Sequence, residues 1–460
     1  MDGVELVRKI ATRFNKAGYE LFEVGGHVRD SIIGRESHDI DLCTNAKPKE
    51  IKQLINDLGA VYSVGERFGT IGLVASNHEL IEITTYRKEV YQRTTRKPRV
   101  IFSNNLLDDL ARRDFTMNAI ARNPLTGGMV DPYGGGKAIA EGVIRCVGND
   151  DDRFHEDPLR MLRAVRLACQ LGFRMDVRIN HPERLKIVSQ ERIRDELVKI
   201  LLSLKPGFGI RRLCSMGVMD YMIPEFTNLK NIAQGEHHIK DAFHHSLMVL
   251  DKGARIDHKD NRENLIFRLA CMLHDIAKPE TKTESDSGVH FYGHHNLGAK
   301  KTRKVLRRLR FDKNTIDRAC HLIKFHMTPI MLQRELVAGE IKRRVIMRLV
   351  RRIGENNVYM LMDLVKCDIR SSKNSRYKFM TVLTKMVDEV MMDQPEKLVS
   401  PLSGDDIMAI CNLKPGELVG KVKVYLTNLV VDGIIDKEDR VGATIKAKEY
   451  IREFEIGQRI

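Results

Sequence analysis

The 460-residue sequence predicts an α+β protein in which a small α/β head precedes an all-helical remainder. Three observations carry that prediction. Short apolar and β-branched runs, Tyr19–Val24, 70-TIGLVA and 80-LIEITTY, read as strands within the first 125 or so residues. From about Asp150 the apolar residues recur at helical spacing, in 157-DPLRMLRAVRLACQLGF, 191-ERIRDELVKILLSL and 208-FGIRRLCSMGVMDYM, with breaks at Lys205-Pro206-Gly207 and Ile223-Pro224. Eleven of the sixteen histidines then fall between His237 and His326 and mark off a third region. The plan is a head over 1–125, a helical neck over 126–230, a helical histidine-rich domain over 231–380 and a helical tail over 381–460, with tail turns at Gly404, Pro415-Gly416 and Gly433.

A chain this long exceeds one ordinary core. Its 77 basic and 62 acidic residues leave a formal charge of +15, a field that favours polyanions such as nucleic acid and is equally that of a generously charged soluble surface. The basic residues concentrate in 299-AKKTRKVLRRLRFDK and 341-IKRRVIMRLVRR, where helical spacing puts them on outer faces open to phosphates. There is no apolar run of bilayer-spanning length. The stretch MDGVELVRKI lacks the apolar region of a signal peptide; Val4, Val7, Ile10, Ala11 and Phe14 read as one face of a helix. Eight single cysteines without CxxC spacing suit reduced thiols in a cytoplasmic protein, with no membrane partner expected.

The richest stretch is 23-EVGGHVRDSIIGRESHDIDLCT. A strand ending in Gly25 and Gly26 lets backbone approach a phosphate at the start of a helix, although Gly-Gly is also a common turn. Asp39 and Asp41, two apart on a strand, point to one side and can share divalent ions, as two-metal phosphoryl transfer requires; an exposed edge with solvated carboxylates is the plain alternative.

The ordered set GGHVRD, GR…DID, 67-RFGT, 82-EITTYR, 112-RRDFTMN and 156-EDPLRMLRAVRLA resembles the class II tRNA nucleotidyltransferases and bacterial poly(A) polymerases over roughly the first 200 residues. The resemblance implies a polymerase-beta-like nucleotidyltransferase head, with Mg²⁺ held by Asp39 and Asp41 and with Glu82 as a third acid, although an outward-facing strand glutamate reads the same way. Gly25, Gly26, Arg29, Arg112, Asp114 and Asn118 are then nucleotide-binding residues. For Arg112, Asp114 and Asn118 the chemistry is ribose 2′-hydroxyl recognition, against an ion pair plus an Asn cap. Asp157 before Pro158 is first of all an N-cap. The resemblance makes Asp157 and Arg160 readers of the incoming base, with Arg163 and Arg166 nearer the triphosphate or in helix packing. The basic segment between Tyr86 and Asp109 resembles the flexible loop of complete CCA-adding enzymes, and 191-ERIRDELVKIL resembles their next helix, where Arg192 and Arg194 suit structure or RNA equally. The implied activity is CCA addition to tRNA from CTP and ATP; A-only addition or poly(A) tailing is the near alternative.

His245, His274-Asp275 and Asp368 follow the order of an HD-type metal site, in segments that resemble HD-domain phosphohydrolases. Imidazole with carboxylate suits Mn²⁺, Ni²⁺, Fe²⁺ or Mg²⁺. His294, His326 and His321 are further candidate ligands, and His245 is preferred to His244. An HD fold kept only as a tRNA-binding scaffold stands against an active phosphatase or cyclic phosphodiesterase. A metal-dependent phosphohydrolase with an RNA-binding head is the rival from a different class.

Overall fold

A computed structural model of the chain describes residues 3–36, 39–63, 65–75, 79–92, 95–234, 241–286, 288–333, 341–372, 377–392 and 400–457. It divides into two compact units, Met1–Leu229 with Ala254–Leu265 and Lys304–Asp312, and Lys230–Gly253 with Ile266–Arg303 and Lys313–Ile460.

The first unit opens with α1 (Gly3–Lys16), β1 (Leu21–Val24), α2 (Gly26–Ile33), β2 (Asp39–Thr44), α3 (Pro48–Ile55), β3 (Gly59–Tyr62), β4 (Thr70–Ala75) and β5 (Leu80–Thr85). Next come β6 (Arg87–Gln92), β7 (Thr95–Phe102), α4 (Leu106–Ala111), β8 (Ala121–Arg122) and β9 (Met129–Val130). The main sheet runs β3-β4-β5-β2-β1-β8-β9. Only its β2–β5 pair is parallel.

Strand alternation decides what each face carries. Ile40 and Leu42 of β2 and Ile81 and Ile83 of β5 enter a core with Leu6, Val7, Ile10, Ala11 and Phe14 of α1 and Ile51 and Ile55 of α3. Asp39, Asp41 and Glu82 are thereby left to the other face. Of the α1 residues read as one apolar face, Val4 is 63% exposed; Leu6 is buried in its place, because the buried stripe begins one position round the helix. The segment after Tyr86, expected as a loop, is a β6–β7 hairpin with its own register, Arg87 opposite Phe102 and Glu89 opposite Val100. Alternating Arg, Lys and Glu with Val, Tyr and Ile suits a two-faced ribbon as well as it suits a loop. Arg93 and Thr94 of that segment lie outside the described residues.

The neck follows as α5 (Gly135–Ala140), β10 (Val143–Ile144), α6 (Asp150–Glu156), α7 (Arg160–Leu171), β11 (Arg174–Met175), α8 (Gln190–Leu201), α9 (Pro206–Ser215) and α10 (Pro224–Thr227). Helices α7, α8 and α9 pack on one another. The short parallel β10–β11 pair is a departure from the helical expectation.

The second unit is built on α11 (Ala242–Gly253), the part of α12 (Asn261–Leu273) from Ile266 on, α13 (Lys278–Thr281), a β12–β13 hairpin (Lys282–Ser285 and Gly288–Phe291) and α14 (His294–Arg308) up to Arg303. It continues through α15 (Lys313–Phe325), α16 (Met327–Met331), α17 (Arg343–Ile353), α18 (Glu355–Arg370) and α19 (Tyr377–Met392). Its hairpin is another strand pair the periodicity did not announce. The last helices, α20 (Gly404–Cys411), α21 (Glu417–Val431) and α22 (Arg440–Gly457), close over Ile407, Val422, Leu426, Ala443 and Ala447. No described helix is long and apolar enough to cross a membrane. All eight cysteines are free thiols.

Candidate active sites

In the head, the β2–β5 register sets Asp41 directly beside Glu82. Gly25, at φ 75°, sits over them: a Cβ there would lie 3.1 Å from both Asp41 Oδ2 and Arg113 Nη1. Any side chain would therefore meet both the strain of positive φ and this crowding. Burial raises the Asp41 pKa and the Asp39 charge adds to it, against the pull of Arg113 and His27. Glu82 is raised by burial, Asp41 and Asp39. Carboxylates that repel one another at one strand end fit a divalent cation better than they fit each other. They are nonetheless not drawn together. Among the described residues, the ligand atoms that converge within 4.8 Å in threes belong to the second unit and not to Asp39, Asp41 and Glu82. Arg113, which the sequence reading passed over for Arg112, is the cation beside Asp41.

Behind this ledge runs a chain of polar contacts. Arg29 Nη1 donates to Asn118 Oδ1 at 2.9 Å, and Asn118 Nδ2 donates to Asp114 Oδ1 at 2.9 Å. Asp114 Oδ2 accepts from Arg163 Nε and Nη2 at 2.8 and 2.6 Å. Burial works against the Asp114 charge, but Arg163 and Asn118 hold its pKa well below the usual carboxylate range. Arg166 donates to Glu196 of α8 at 3.0 Å. Arg112, expected beside Asp114, turns instead to Asp109 at 2.6 Å and Glu89 at 3.2 Å. It follows the last turn of α4, where the residue three back is its natural partner.

Asp157, expected as the N-cap of α7, is instead the C-cap of α6: Pro158 and Leu159 form a turn ahead of α7, whose N-cap is Leu159 without a side-chain bond. Asp157 Oδ1 accepts from Leu159 N at 3.2 Å in the turn leading into α7, while Oδ2 accepts from Arg192 Nη2 at 2.9 Å. Arg160 is 7% exposed. It donates to Glu156 at 2.5 Å, the Arg153 carbonyl at 3.1 Å and the Arg112 carbonyl at 2.8 Å. In this state both groups are occupied by protein partners. Arg194 bonds Asp195 at 2.8 Å and the Arg310 carbonyl at 2.5 Å. The partners Glu156, Arg192 and Glu196 became visible only once α6, α7 and α8 were set side by side.

In the second unit, α11 supplies His245, the end of α12 leads into His274 and Asp275, α14 begins with His294, α15 ends just before His326, and α18 carries Asp368. The structure brings all six together. His245 Nε2 lies 2.9 Å from Asp368 Oδ1, His274 Nε2 3.2 Å from Asp275 Oδ2, and His294 Nε2 3.2 Å from His326 Nε2. Two ligand groups, His245–His274–Asp275 and Asp275–His294–His326, share the aspartate. The Nδ1 atoms of His274, His294 and His326 face the carbonyls of Cys271, Phe291 and Ile323 at 3.0, 2.7 and 2.6 Å. Those bonds fix the tautomer and turn each Nε2 lone pair inward, the donor set a transition metal takes. Burial and the neighbouring imidazoles push His326 down to about 3, which keeps its imidazole neutral. A cleft of about 500 Å³ reaches Asp275, His294, His326 and Asp368. His244 is engaged by Asp241, whose Oδ1 accepts from the His244 backbone N–H at 2.9 Å and lies 2.6 Å from its Nδ1. His321, a further candidate ligand, bonds the Ile353 carbonyl at 3.0 Å, so its Nε2 is spent on α17.

The profile described as "Poly A polymerase head domain" matches residues 21–145, "Probable RNA and SrmB- binding site of polymerase A" matches 177–230, and "HD domain" matches 242–354. An A-adding tRNA nucleotidyltransferase of Deinococcus radiodurans is 30% identical over 427 residues, covering 87% of this chain and 88% of that protein. The chain belongs to the tRNA nucleotidyltransferase family. CCA-adding enzymes of Levilactobacillus brevis and Lactobacillus gasseri are 38% and 42% identical over 232 and 205 residues, 49% and 43% of this chain. The chain thus spans about half the length of these curated relatives, 57% and 50%. The Bacillus stearothermophilus CCA-adding enzyme in complex with CTP shares the fold at TM-score 0.67 and 22% identity, over 99% of this chain and all of that one. The Thermotoga maritima CCA-adding enzyme complexed with tRNA does so at TM-score 0.58 and 20% identity, over 98% and 96%. Within this family the two acidic sites are expected to bind metal.

Proposed function

We propose that this tRNA nucleotidyltransferase adds C, C and A to the 3′ end of tRNA from CTP and ATP without a nucleic-acid template. The observation that carries the reading is the juxtaposed Asp41–Glu82 ledge beneath Gly25, backed by the Arg29–Asn118–Asp114–Arg163 chain. The tRNA 3′-hydroxyl attacks the nucleotide α-phosphorus, the bond to pyrophosphate breaks, and the hydroxyl proton passes to solvent. Asp39 and Asp41, with Glu82, would hold Mg²⁺, which when bound acidifies the attacking hydroxyl and neutralises the leaving pyrophosphate. Gly25 and Gly26 give the triphosphate close access to backbone. The cradle of Asn118 and Arg163 keeps Asp114 ionised and oriented towards the sugar. Asp157 and Arg160 read the base edge with a carboxylate acceptor and a planar fork of donors, after exchanging their present partners for the nucleotide. Arg112 supports this group from behind, and Arg166 holds α7 to α8.

The histidine cluster gives a second activity, hydrolysis of phosphate esters with Ni²⁺, Mn²⁺ or Mg²⁺ held by His245, His274, Asp275 and Asp368, and by His294 and His326. A bound ion there acidifies water for attack on phosphate. The division into head (1–125), neck (126–230), HD domain (231–380) and tail (381–460) and a cytoplasmic location complete the reading.

A second reading, A addition alone, is favoured by one fact: a relative 30% identical over 87% of this chain is an A-adding tRNA nucleotidyltransferase. Incubating the protein and Mg²⁺ with tRNA lacking its last three nucleotides, and with tRNA lacking only the terminal A, separates the two. Successive C, C and A on the first substrate supports the proposal. Growth of the second substrate alone selects A addition, a run of A on unrelated RNA selects tailing, and no incorporation removes nucleotide transfer altogether.

A further inference from the structure

The β6–β7 hairpin is tied to the end of α4 through one buried carboxylate. Glu89 of β6, its side chain 7% exposed, accepts from Arg87 Nε and Nη2 at 3.0 and 2.9 Å, from Tyr91 OH at 2.6 Å and from Arg112 Nη1 at 3.2 Å. The first two donors belong to the hairpin. The third does not: Arg112 follows α4, is braced by Asp109, and offers its carbonyl to Arg160 Nη2 at 2.8 Å. A path of four hydrogen-bonded groups thus runs from the hairpin to the arginine assigned to base reading.

We propose that Glu89 is a positioning residue that fixes Arg112, and through it Arg160, and thereby sets which nucleotide is accepted. The inference rests on the base-reading role proposed above for Arg160. Its physical basis is charge balance. Arg87 and Arg112 face each other across Glu89, and without the carboxylate two guanidinium groups would share a largely buried space. Arg112 would move away from Arg87, its carbonyl would follow, and Arg160 would lose one of its three acceptors. A fork of donors misaligned by a fraction of an ångström still binds a base but distinguishes the right edge from the wrong one poorly.

The test compares wild type with Glu89→Ala, Glu89→Gln and Glu89→Asp. Steady-state incorporation is measured for CTP against UTP on tRNA lacking its last three nucleotides, and for ATP against GTP on tRNA ending in C-C. Melting curves check that each variant is folded. Glu89→Ala should lower the correct-to-incorrect ratio of kcat/KM by roughly ten- to a hundredfold, the worth of a hydrogen bond to a charged group. Glu89→Gln keeps the packing without the charge and should fall between, and Glu89→Asp should recover part of the ratio. Should Glu89→Ala not fold, Glu89→Gln decides alone. Unchanged ratios, or an equal loss for all four nucleotides, would overturn the proposal and leave Glu89 a structural brace. A wild-type enzyme that incorporates nothing would instead remove the activity reading on which this one stands.

Discussion

The two candidate metal sites solve one electrostatic problem in opposite ways. At the head, Asp41 and Glu82 stand side by side on neighbouring strands, and each has its pKa raised by burial and by the charge of the neighbouring carboxylates. In the histidine cluster, Asp275 and Asp368 are held well below the usual carboxylate range: burial opposes their charge, but His274, Lys278 and His245 outweigh it. The head carboxylates are held at a cost that a bound cation would relieve. The second site is already balanced by its own imidazoles and by Lys278, 2.7 Å from Asp275. A site whose substrates change between steps gains from the first arrangement, whereas a fixed pair of metals gains from the second.

The sharpest way to break this comparison is to neutralise one acid in each site. Asp41→Asn should reduce nucleotide incorporation by about a thousandfold or more, since it removes a shared ligand of phosphoryl transfer. Its melting temperature should be unchanged or slightly raised, because the folded state no longer holds a carboxylate at a cost. Asp275→Asn should abolish metal-dependent phosphatase activity and leave incorporation intact. It should also destabilise the metal-free protein by roughly 3 kcal/mol by urea unfolding, as Lys278 would stay buried without its counter-charge. Equal stability losses in the two variants would sink the contrast between strained and balanced sites.

That contrast was only partly legible in the sequence. Asp39 and Asp41 announced themselves by spacing, because strand alternation converts a gap of two into a shared face. His245, His274, Asp275 and Asp368 carried their order but not their geometry, and the roles of His321 and His294 were separable only by where α15 meets α17 and where α14 begins. Arg112 misled for a physical reason. Adjacency to Asp114 along the chain says nothing about which way a side chain leaves a helix end, and Asp109 one turn back claimed it. Arg163, forty-nine residues away, became the true partner. Local chemistry could be read. Ion pairs across helices could not, since any of several arginines fits the same acid until packing chooses.

A smaller effect sharpens the comparison within the head itself. Asp114 is the head's balanced acid, with a depressed pKa where Asp41 is raised. A depressed carboxylate lends stability that is present above its unfolded pKa of about 3.9 and is lost as pH falls through the folded value. Asp114→Asn should therefore cost on the order of 2 kcal/mol at pH 7 and flatten the loss of stability between about pH 4 and pH 2. An acid limb as steep as that of wild type would show that Arg163 does not hold this charge.

The smallest effect concerns Arg192, which joins α8 to Asp157, the carboxylate proposed to read the base. The pair is partly exposed, 36% and 18% for the two side chains, and such pairs contribute about 0 to 1 kcal/mol. Arg192→Ala should accordingly move the melting temperature little. Its catalytic effect should be larger than its structural one. Arg192 Nη2 occupies Asp157 Oδ2, while its Nη1 is buried without a hydrogen-bond partner, so the guanidinium holds the carboxylate in place and keeps a donor in reserve. Removing it should raise KM for both CTP and ATP several-fold, about 1 kcal/mol, with kcat for the correct nucleotide less affected. A change in kcat alone would mean that Asp157 is oriented by the hydrogen bond from Leu159 N and not by Arg192, and the adjustable part of the first unit would shrink to the ledge of Asp39, Asp41 and Glu82.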